Sequence, residues 1–198
     1  MKGALHMKKL LITGFDPFGG EKINPAWEAV KRLPEQVGKY VLYKLEIPTV
    51  FGLAAEKVLK KAREVKPDAI LCIGQAGGRA AVTPERIGVN IRDARIPDNA
   101  GNQPRGEYAA ADGPAAYFST VPVIAMEDAI RAAGLPATVS NSAGAFVCND
   151  VLYILLHHYA GTDVKVGFIH VPYLPEQGNP NLPLADTVKA LAAAIEVI

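Results

Sequence analysis

Two residue types in this 198-residue chain could carry covalent chemistry, and both are scarce: there are two cysteines and four histidines. Cys148 follows a flexible Ser142-Ala-Gly144 corner and opens a segment in which Val147, Val151, Leu152, Ile154, Leu155 and Tyr159 are apolar nearly all round. That pattern predicts a buried helix with the thiol in its first turn. Unpaired backbone N–H groups and the positive end of the helix dipole favour a thiolate there, beside donors that could hold an oxyanion. A small buried hydrophobe is an equally common fate for a lone thiol, so Cys148 needs partners before it becomes a site. His170 ends an apolar strand, Val166-Gly-Phe-Ile-His-Val-Pro-Tyr173, where open α/β sheets place ligands and reacting groups. A nucleophilic thiol needs such a base, and the base in turn needs a group to orient it. Asp16, Glu85, Asp93, Asp98 and Asp150 are the candidate carboxylates, and spacing alone does not choose Glu85 over Asp98.

Other chemistries fit less well. Gly14 to Gly19 has the glycine spacing of a P-loop, but Gly20 and Glu21 stand where a lysine and a hydroxyl are required. Gly74-x-x-Gly77-Gly78 is not the dinucleotide fingerprint. Both glycine turns instead suit close approach of backbone to a ligand without phosphates. His6, His157, His158 and His170 form no H-x-x-x-H or H-E-x-x-H pattern and no Cys-x-x-Cys occurs, so neither a metal nor a cofactor is expected. His157 and His158 at a helix end read as partners of the last carbonyls.

The elements that must position Cys148 and His170 alternate along the chain. Strands are predicted at Lys8–Thr13, Tyr40–Ile47, Ala69–Ile73, Arg86–Arg92, near Val139 and at Val164–Val171, with a short one near Ala116–Thr120. Helices are predicted from Pro25, capped by Asn24, over Phe51–Val65 and Val123–Ala133, after Cys148, and from about Leu184. Cys72 falls inside a fully apolar strand and reads as core. The region from Asp93 to Thr120 is long and irregular, the signature of a site wall or lid. The class is α/β: a single-domain three-layer α/β/α sandwich on a largely parallel, mixed, twisted sheet spanning residues 7–198, with antiparallel pairs possible around Glu85–Arg92. Residues 1–6 precede a second methionine and are read as an extension.

Composition narrows the partners. Formal net charge is +1, both signs are scattered, and 49% of residues are hydrophobic. A nucleic-acid or membrane-surface partner would want a basic stripe, which is missing. No apolar run reaches the roughly 18 to 20 residues needed to span a bilayer, and Leu10–Ile12 is too short for a signal peptide. Two cysteines are too few for a disulfide framework, so a cytoplasmic protein with free thiols is expected.

With these residues assembled, the chain resembles the type I pyroglutamyl peptidases, the pyrrolidone-carboxylate cysteine peptidases. The resemblance rests on Thr13-Gly-Phe-Asp-Pro-Phe-Gly-Gly20, Asn24-Pro25, Gly74-Gln75-Ala76, Glu85-Arg86, Asn90-Ile91 and Asp98-Asn99. It continues in Ser142-Ala-Gly144-x-Phe146-Val-Cys148-Asn149 and Phe168-Ile-His170-Val-Pro172. The matches run in order from Met7 to the C-terminal helix. The resemblance implies a triad of Cys148 as nucleophile, His170 as base and then acid, and Glu85 orienting the imidazole, with Arg95 at the oxyanion. It also implies that Phe15 and Phe146, with Phe18, hold the substrate ring while backbone around Gln75 meets the lactam. Peptides bearing N-terminal pyroglutamate are the implied partners, without nucleic acid or membrane. Family members commonly form homo-oligomers, often tetramers.

Three rival readings are distinguishable. A nucleoside phosphorylase or hydrolase on a similar sheet would be protected by phosphate or nucleoside. A silent ligand-binding relative would have no reason to keep Cys148, His170 and Glu85 together. A thiol redox protein would need Cys72 as resolving partner for Cys148.

Overall fold

The computed structural model describes residues 7–198, so the extension expected at 1–6 lies outside the described residues. Its first strand, β1 (Lys8–Phe15), is buried from Leu10 onward, which is why it is apolar on both faces. Asn24 then accepts from the Ala26 N–H at 3.0 Å and Pro25 occupies the first turn of α1 (Pro25–Arg32), so the predicted cap is the observed one. A short strand β2 (Gln36–Val37) pairs antiparallel with β3 (Tyr40–Ile47). α2 (Leu53–Val65) leads to β4 (Ala69–Gln75). After a glycine turn come β5 (Thr83–Pro84) and β6 (Ile87–Val89), then β7 (Ala116–Phe118). α3 (Val123–Ala132), α4 (Val147–His158), β8 (Lys165–Val171) and α5 (Leu184–Glu196) complete the chain.

Six strands form the main sheet in the order β2-β3-β1-β4-β8-β5, parallel from β3 to β8 and antiparallel at both edges. Side chains alternate between two cores. Leu10, Ile12, Leu71, Ile73 and Ile169 face α1, α3 and α5, whereas Leu11, Ile70, Cys72 and Phe168 face α2 and α4. This is the expected three-layer arrangement. Strand order reverses between β1, which leads outward to β3, and β4, which leads the other way to β8. Ligands of open α/β sheets bind at the carboxyl ends of the strands flanking such a reversal.

Two predicted strands are shorter than expected. Arg86–Arg92 yields only β6, which leaves the main sheet and pairs with β7. The reason lies in α4: the Asn149 amide receives the Val89 N–H at 2.9 Å and donates to the Val89 and Ile91 carbonyls at 2.8 and 3.0 Å. A helix side chain thus takes the place of a neighbouring strand. Around Val139, only isolated parallel bridges form, Val82 with Ala137 and Glu85 with Ser140. The Val139 N–H is diverted to the Glu127 carboxylate at 2.9 Å.

Candidate active site

Cys148 sits where predicted, in the first turn of α4, just after the N-cap Phe146. Gly144 has φ +79°, a left-handed conformation that a side chain would strain, and it turns the chain into the helix. The thiol is held against the sheet by what Gly74 lacks. A Cβ at Gly74 would stand 3.0 Å from Cys148 Sγ and 2.7 Å from the Phe168 ring. Across the parallel ladder, Gly74 is the register partner of His170. Alternation from Ile70, Cys72 and Phe168 puts Gly74 and His170 on the α4 face of the sheet. Thiol and imidazole therefore lie on the same face of the sheet, with the missing Gly74 side chain next to each.

His170 is 4% exposed, with its ring 4.8 Å from that of Phe168. Its Nδ1 lies 2.7 Å from Glu85 Oε1, which leaves Nε2 as the other ring nitrogen for chemistry. Glu85 reaches this place because β5 pairs antiparallel with the end of β8, Thr83 opposite His170. The Glu85 N–H donates to the Phe168 carbonyl at 2.9 Å, and the Ser119 hydroxyl to the Glu85 carbonyl at 2.6 Å. Of the five candidate carboxylates, Glu85 alone pairs with His170. Asp98 instead closes its own loop, accepting from the Phe51, Ala100 and Asn102 N–H groups and from the Asn102 amide. Asp16 receives the Thr49 N–H, and Asp150 pairs with Arg92 at 2.6 Å.

One member of this cluster carried no signal in the sequence beyond closing a glycine turn. Arg79 Nη1 donates to Glu85 Oε1 at 2.6 Å and to Thr83 Oγ1 at 2.7 Å, and Nη2 donates to the Ser142 carbonyl at 3.1 Å. Burial acts first to raise the Glu85 pKa, but His170, with Ser140 and Arg79 nearby, holds it below the ordinary value. Burial lowers the His170 pKa, and the nearby Glu85 charge opposes this without overcoming it. The Cys148 thiol is pushed up to about 12, by burial first and then by the Glu85 charge, with Arg79 and the helix backbone pulling the other way. The influences that favour a thiolate at this helix end are therefore opposed. The helix N-terminus helps the anion, but desolvation and a neighbouring carboxylate outweigh it.

Aromatic rings gather at the start of α4. Phe146 and Phe18 lie 6.2 Å apart, and Phe51 meets Phe146 edge-on at 5.3 Å. Phe15 is 2% exposed and packs on Phe168 at 6.2 Å. Phe18, Phe146, Asp93, Arg95, Ile96 and the Gly144–Ala145 backbone line a cavity of ≈ 280 Å³. Arg95 is exposed at its rim, on the irregular segment that was expected to form a wall. That segment is pinned: Asn99 donates to Asp16 Oδ1 at 3.2 Å and to the Pro17 carbonyl at 2.9 Å, tying it to the first glycine turn. Gln75 ends β4, and its side-chain carbonyl accepts from the Gln177 amide at 3.1 Å. Phe51 and Gln177 were not singled out from sequence, since their partners lie on distant segments.

Cys72 is fully buried, its thiol pushed up to about 12 by desolvation, as a core residue should be. His157 does not cap carbonyls: it stacks on Tyr153 and its Nδ1 meets the Tyr117 hydroxyl at 3.0 Å. Among the described residues, no three His, Cys, Asp or Glu side chains are grouped as a metal ion would need. No helix among them is long and apolar enough to cross a membrane.

This geometry has counterparts. A family model described as pyroglutamyl peptidase matches residues 8–198. The pyrrolidone-carboxylate peptidase of Levilactobacillus brevis is 55% identical over 197 residues, covering 96% of this chain and 97% of that protein. The protein of that name from Lactobacillus johnsonii is 53% identical, covering 96% and 92%. In structure, the pyroglutamyl peptidase I of Bacillus amyloliquefaciens superposes with a TM-score of 0.93 at 45% identity, covering 96% of each chain. The pyrrolidone carboxyl peptidase of Thermococcus litoralis gives 0.92 at 40% identity, covering 96% of this chain and 93% of that one. With the model spanning nearly every described residue and relatives this similar along their whole lengths, the chain belongs to the pyroglutamyl peptidase family.

Proposed function

We propose that this protein removes N-terminal pyroglutamate from peptides by acyl transfer through a thioester on Cys148. Substrate binding brings the pyroglutamyl carbonyl against the thiol. His170 Nε2 takes the thiol proton as sulfur bonds to the carbonyl carbon, and the carbonyl electrons move onto oxygen. The α4 backbone N–H at Cys148 and Arg95 are the proposed donors to that oxyanion. Losing one such donor costs on the order of a hundredfold to a thousandfold in turnover. The oxyanion collapses, the C–N bond breaks, and His170 returns its proton to the departing amine. A water deprotonated by His170 then attacks the thioester, and the thiol is restored. Glu85 keeps Nδ1 protonated and faces the imidazolium that forms in each half-reaction.

The observation that carries this reading is the Nδ1–Glu85 contact of 2.7 Å on a histidine whose ladder partner is Gly74. The Gly74 gap admits Cys148 Sγ to the same face. Pyroglutamate is an uncharged five-membered lactam, so aromatic faces and a few hydrogen bonds recognise it better than an acidic anchor would. Phe146 and Phe18 offer the faces, Phe15 packs on Phe168 beside His170, and backbone near Gln75 is the proposed polar partner. A site built on such bonds rejects analogues that leave its polar groups unpaired. Two further parts of the proposal are a cytoplasmic location, argued from the two free thiols, and a homo-oligomer, tetrameric as in the family, which rests on resemblance and which light scattering on purified protein tests.

Release of a fluorogenic amine from a pyroglutamyl amide, beside prolyl and glutamyl amides, tests the activity. Turnover of the pyroglutamyl compound only, lost in Cys148→Ser and kept in Cys72→Ser, is the expected result. A folded, reduced protein that leaves all three amides intact would sink the peptidase reading.

A further inference from the structure

Glu85 Oε1 is shared. It faces His170 Nδ1 at 2.7 Å and Arg79 Nη1 at 2.6 Å, while Oε2 is buried without a hydrogen-bond partner. A carboxylate bound through one oxygen is free to rotate about its last bonds unless something else fixes that oxygen. Arg79 does so from a rigid position, because the same Nη1 also donates to Thr83 Oγ1 at 2.7 Å. Thr83 is the residue paired with His170 in the sheet. Its second nitrogen reaches the Ser142 carbonyl at 3.1 Å, on the loop that leads through Gly144 into the Cys148 helix. One planar guanidinium thus touches the carboxylate, the strand beside the histidine and the loop ahead of the nucleophile.

We infer that Arg79 is a positioning residue for the reaction: it aims the Glu85 carboxylate at His170 and ties the loop before Cys148 to that same carboxylate. The inference rests on the Cys148–His170–Glu85 reading above. It explains why a cation two-thirds buried sits where it also repels the imidazolium. Glu85 needs a second partner to stay aimed, and the fork geometry of arginine supplies one without touching the imidazole. The charged and titratable groups facing His170 are Glu85 after β5, Arg79 from the β4–β5 turn and Cys148 across Gly74. Among them Arg79 alone carries a fixed positive charge. Its charge disfavours protonated His170, so its removal raises the histidine pKa.

The test is a pH profile of kcat and kcat/KM on a pyroglutamyl amide for wild type, Arg79→Met, Arg79→Lys and Cys148→Ser, each checked for folding by thermal melt. Arg79→Met is expected to lose about tenfold to a hundredfold in kcat, the range of one charge-assisted hydrogen bond. KM should change far less, and the acid limb of kcat/KM should move to higher pH. Arg79→Lys keeps the charge but not the fork, so its acid limb should stay near the wild-type position while kcat recovers only in part. A loss of packing alone would lower activity without moving the limb. Wild-type kcat and an unmoved limb in folded Arg79→Met would overturn the role. If Arg79→Met does not fold, an acid limb in Arg79→Lys displaced from wild type, or full wild-type kcat there, overturns it equally. Turnover persisting in Cys148→Ser would instead break the underlying triad reading, whatever Arg79 does.

Discussion

Two buried carboxylates in this molecule look alike at first contact. Glu85 and Asp150 are both fully buried, and each has an arginine nitrogen at 2.6 Å. Their titration differs in sign: Glu85 is held below its ordinary pKa and Asp150 is raised above it. For Asp150, burial is the largest influence, and Arg92 with the Gly52 N–H does not fully offset it. For Glu85, burial is also the largest single influence, but His170, Ser140 and Arg79 together outweigh it. Asp150 is a strut, fastening the first turn of α4 to the Gly52 backbone at 2.8 Å and to Arg92. Glu85 is fastened in the same manner and also faces an imidazole. A buried carboxylate–arginine pair therefore marks rigidity in both places, and the histidine is what distinguishes the one in the proposed triad.

The sharpest way to break this comparison is to neutralise each carboxylate. In Glu85→Gln the amide can present an N–H to His170 Nδ1, which traps the wrong tautomer and sets a donor against Arg79. Loss of the corresponding acid in a serine protease costs about 10⁴-fold in kcat. Steady-state assay of Glu85→Gln on a pyroglutamyl amide should show a fall of about a thousandfold or more, with little change in thermal midpoint. Asp150→Ala should reverse the pattern. Breaking a buried pair costs about 3 to 5 kcal/mol, and with Arg92 partly open to water the expected loss is about 2 to 3 kcal/mol, read from urea unfolding. If Asp150→Ala destroys activity while Glu85→Gln keeps it, the two roles have been assigned backwards.

Acid titration of stability separates the pair further. The folded-state pKa of Glu85 is depressed, so its contribution is present above the ordinary 4.5 and is lost as pH falls through the folded value. His170, also depressed in the fold, adds to that loss as pH falls below 6.5, because the unfolded chain takes up its proton first. Asp150 has the opposite sign. Its raised pKa means that stability increases as pH falls through the folded value toward the ordinary 3.8. Urea midpoints measured from neutral pH downward should therefore decline more steeply in Asp150→Ala than in wild type. Equal slopes in the two proteins would mean that Asp150 does not change its proton affinity on folding.

The same balance governs the resting nucleophile. With His170 below 6.5 and Cys148 near 12, the acid limb of kcat/KM should have its midpoint below 6.5. Alkylation of the free enzyme by iodoacetamide should speed up continuously through the mildly alkaline range. A plateau in alkylation rate already reached in mild acid would show a preformed thiolate–imidazolium pair, and the helix N-terminus would then dominate after all.

What the sequence makes legible here is what local chemistry decides. Asn24-Pro25 announces its cap, and the alternation in Tyr40–Ile47 reads directly as β3 with its observed bounds. The places of Cys148 and His170 at strand–helix and strand ends follow from apolar patterning on either side of them. Choosing Glu85 over Asp98 does not, because it depends on a two-residue strand containing proline, pairing with a partner 85 positions away. Arg79 escapes for a like reason, since one of its contacts is 63 positions distant. The shortened β6 was beyond reach because a side chain, Asn149, imitates a strand only once α4 is in place. Equally, the thiol's protonation depends on how much surface the folded chain removes from water, which no spacing reveals.

Phe51 joins the two regions and offers the mildest test of their separation. Its ring is edge-on to Phe146 at 5.3 Å, while the Arg92 guanidinium lies 6.0 Å from its centroid. Its own N–H is held by Asp98 at 2.9 Å, and the next residue, Gly52, is held by Asp150. The strut thus ends against Phe51, which packs on Phe146 in the wall of the proposed substrate cavity. An edge-on aromatic pair contributes about 0.5 to 1.5 kcal/mol beyond its buried area. Phe51→Leu, which keeps apolar volume but removes the ring, should therefore raise KM for a pyroglutamyl amide by about twofold to tenfold and leave kcat nearly unchanged. A matching fall in kcat would mean that the strut also sets the geometry of Cys148, and the division between the supporting carboxylate and the one proposed to orient His170 would have to be redrawn along α4.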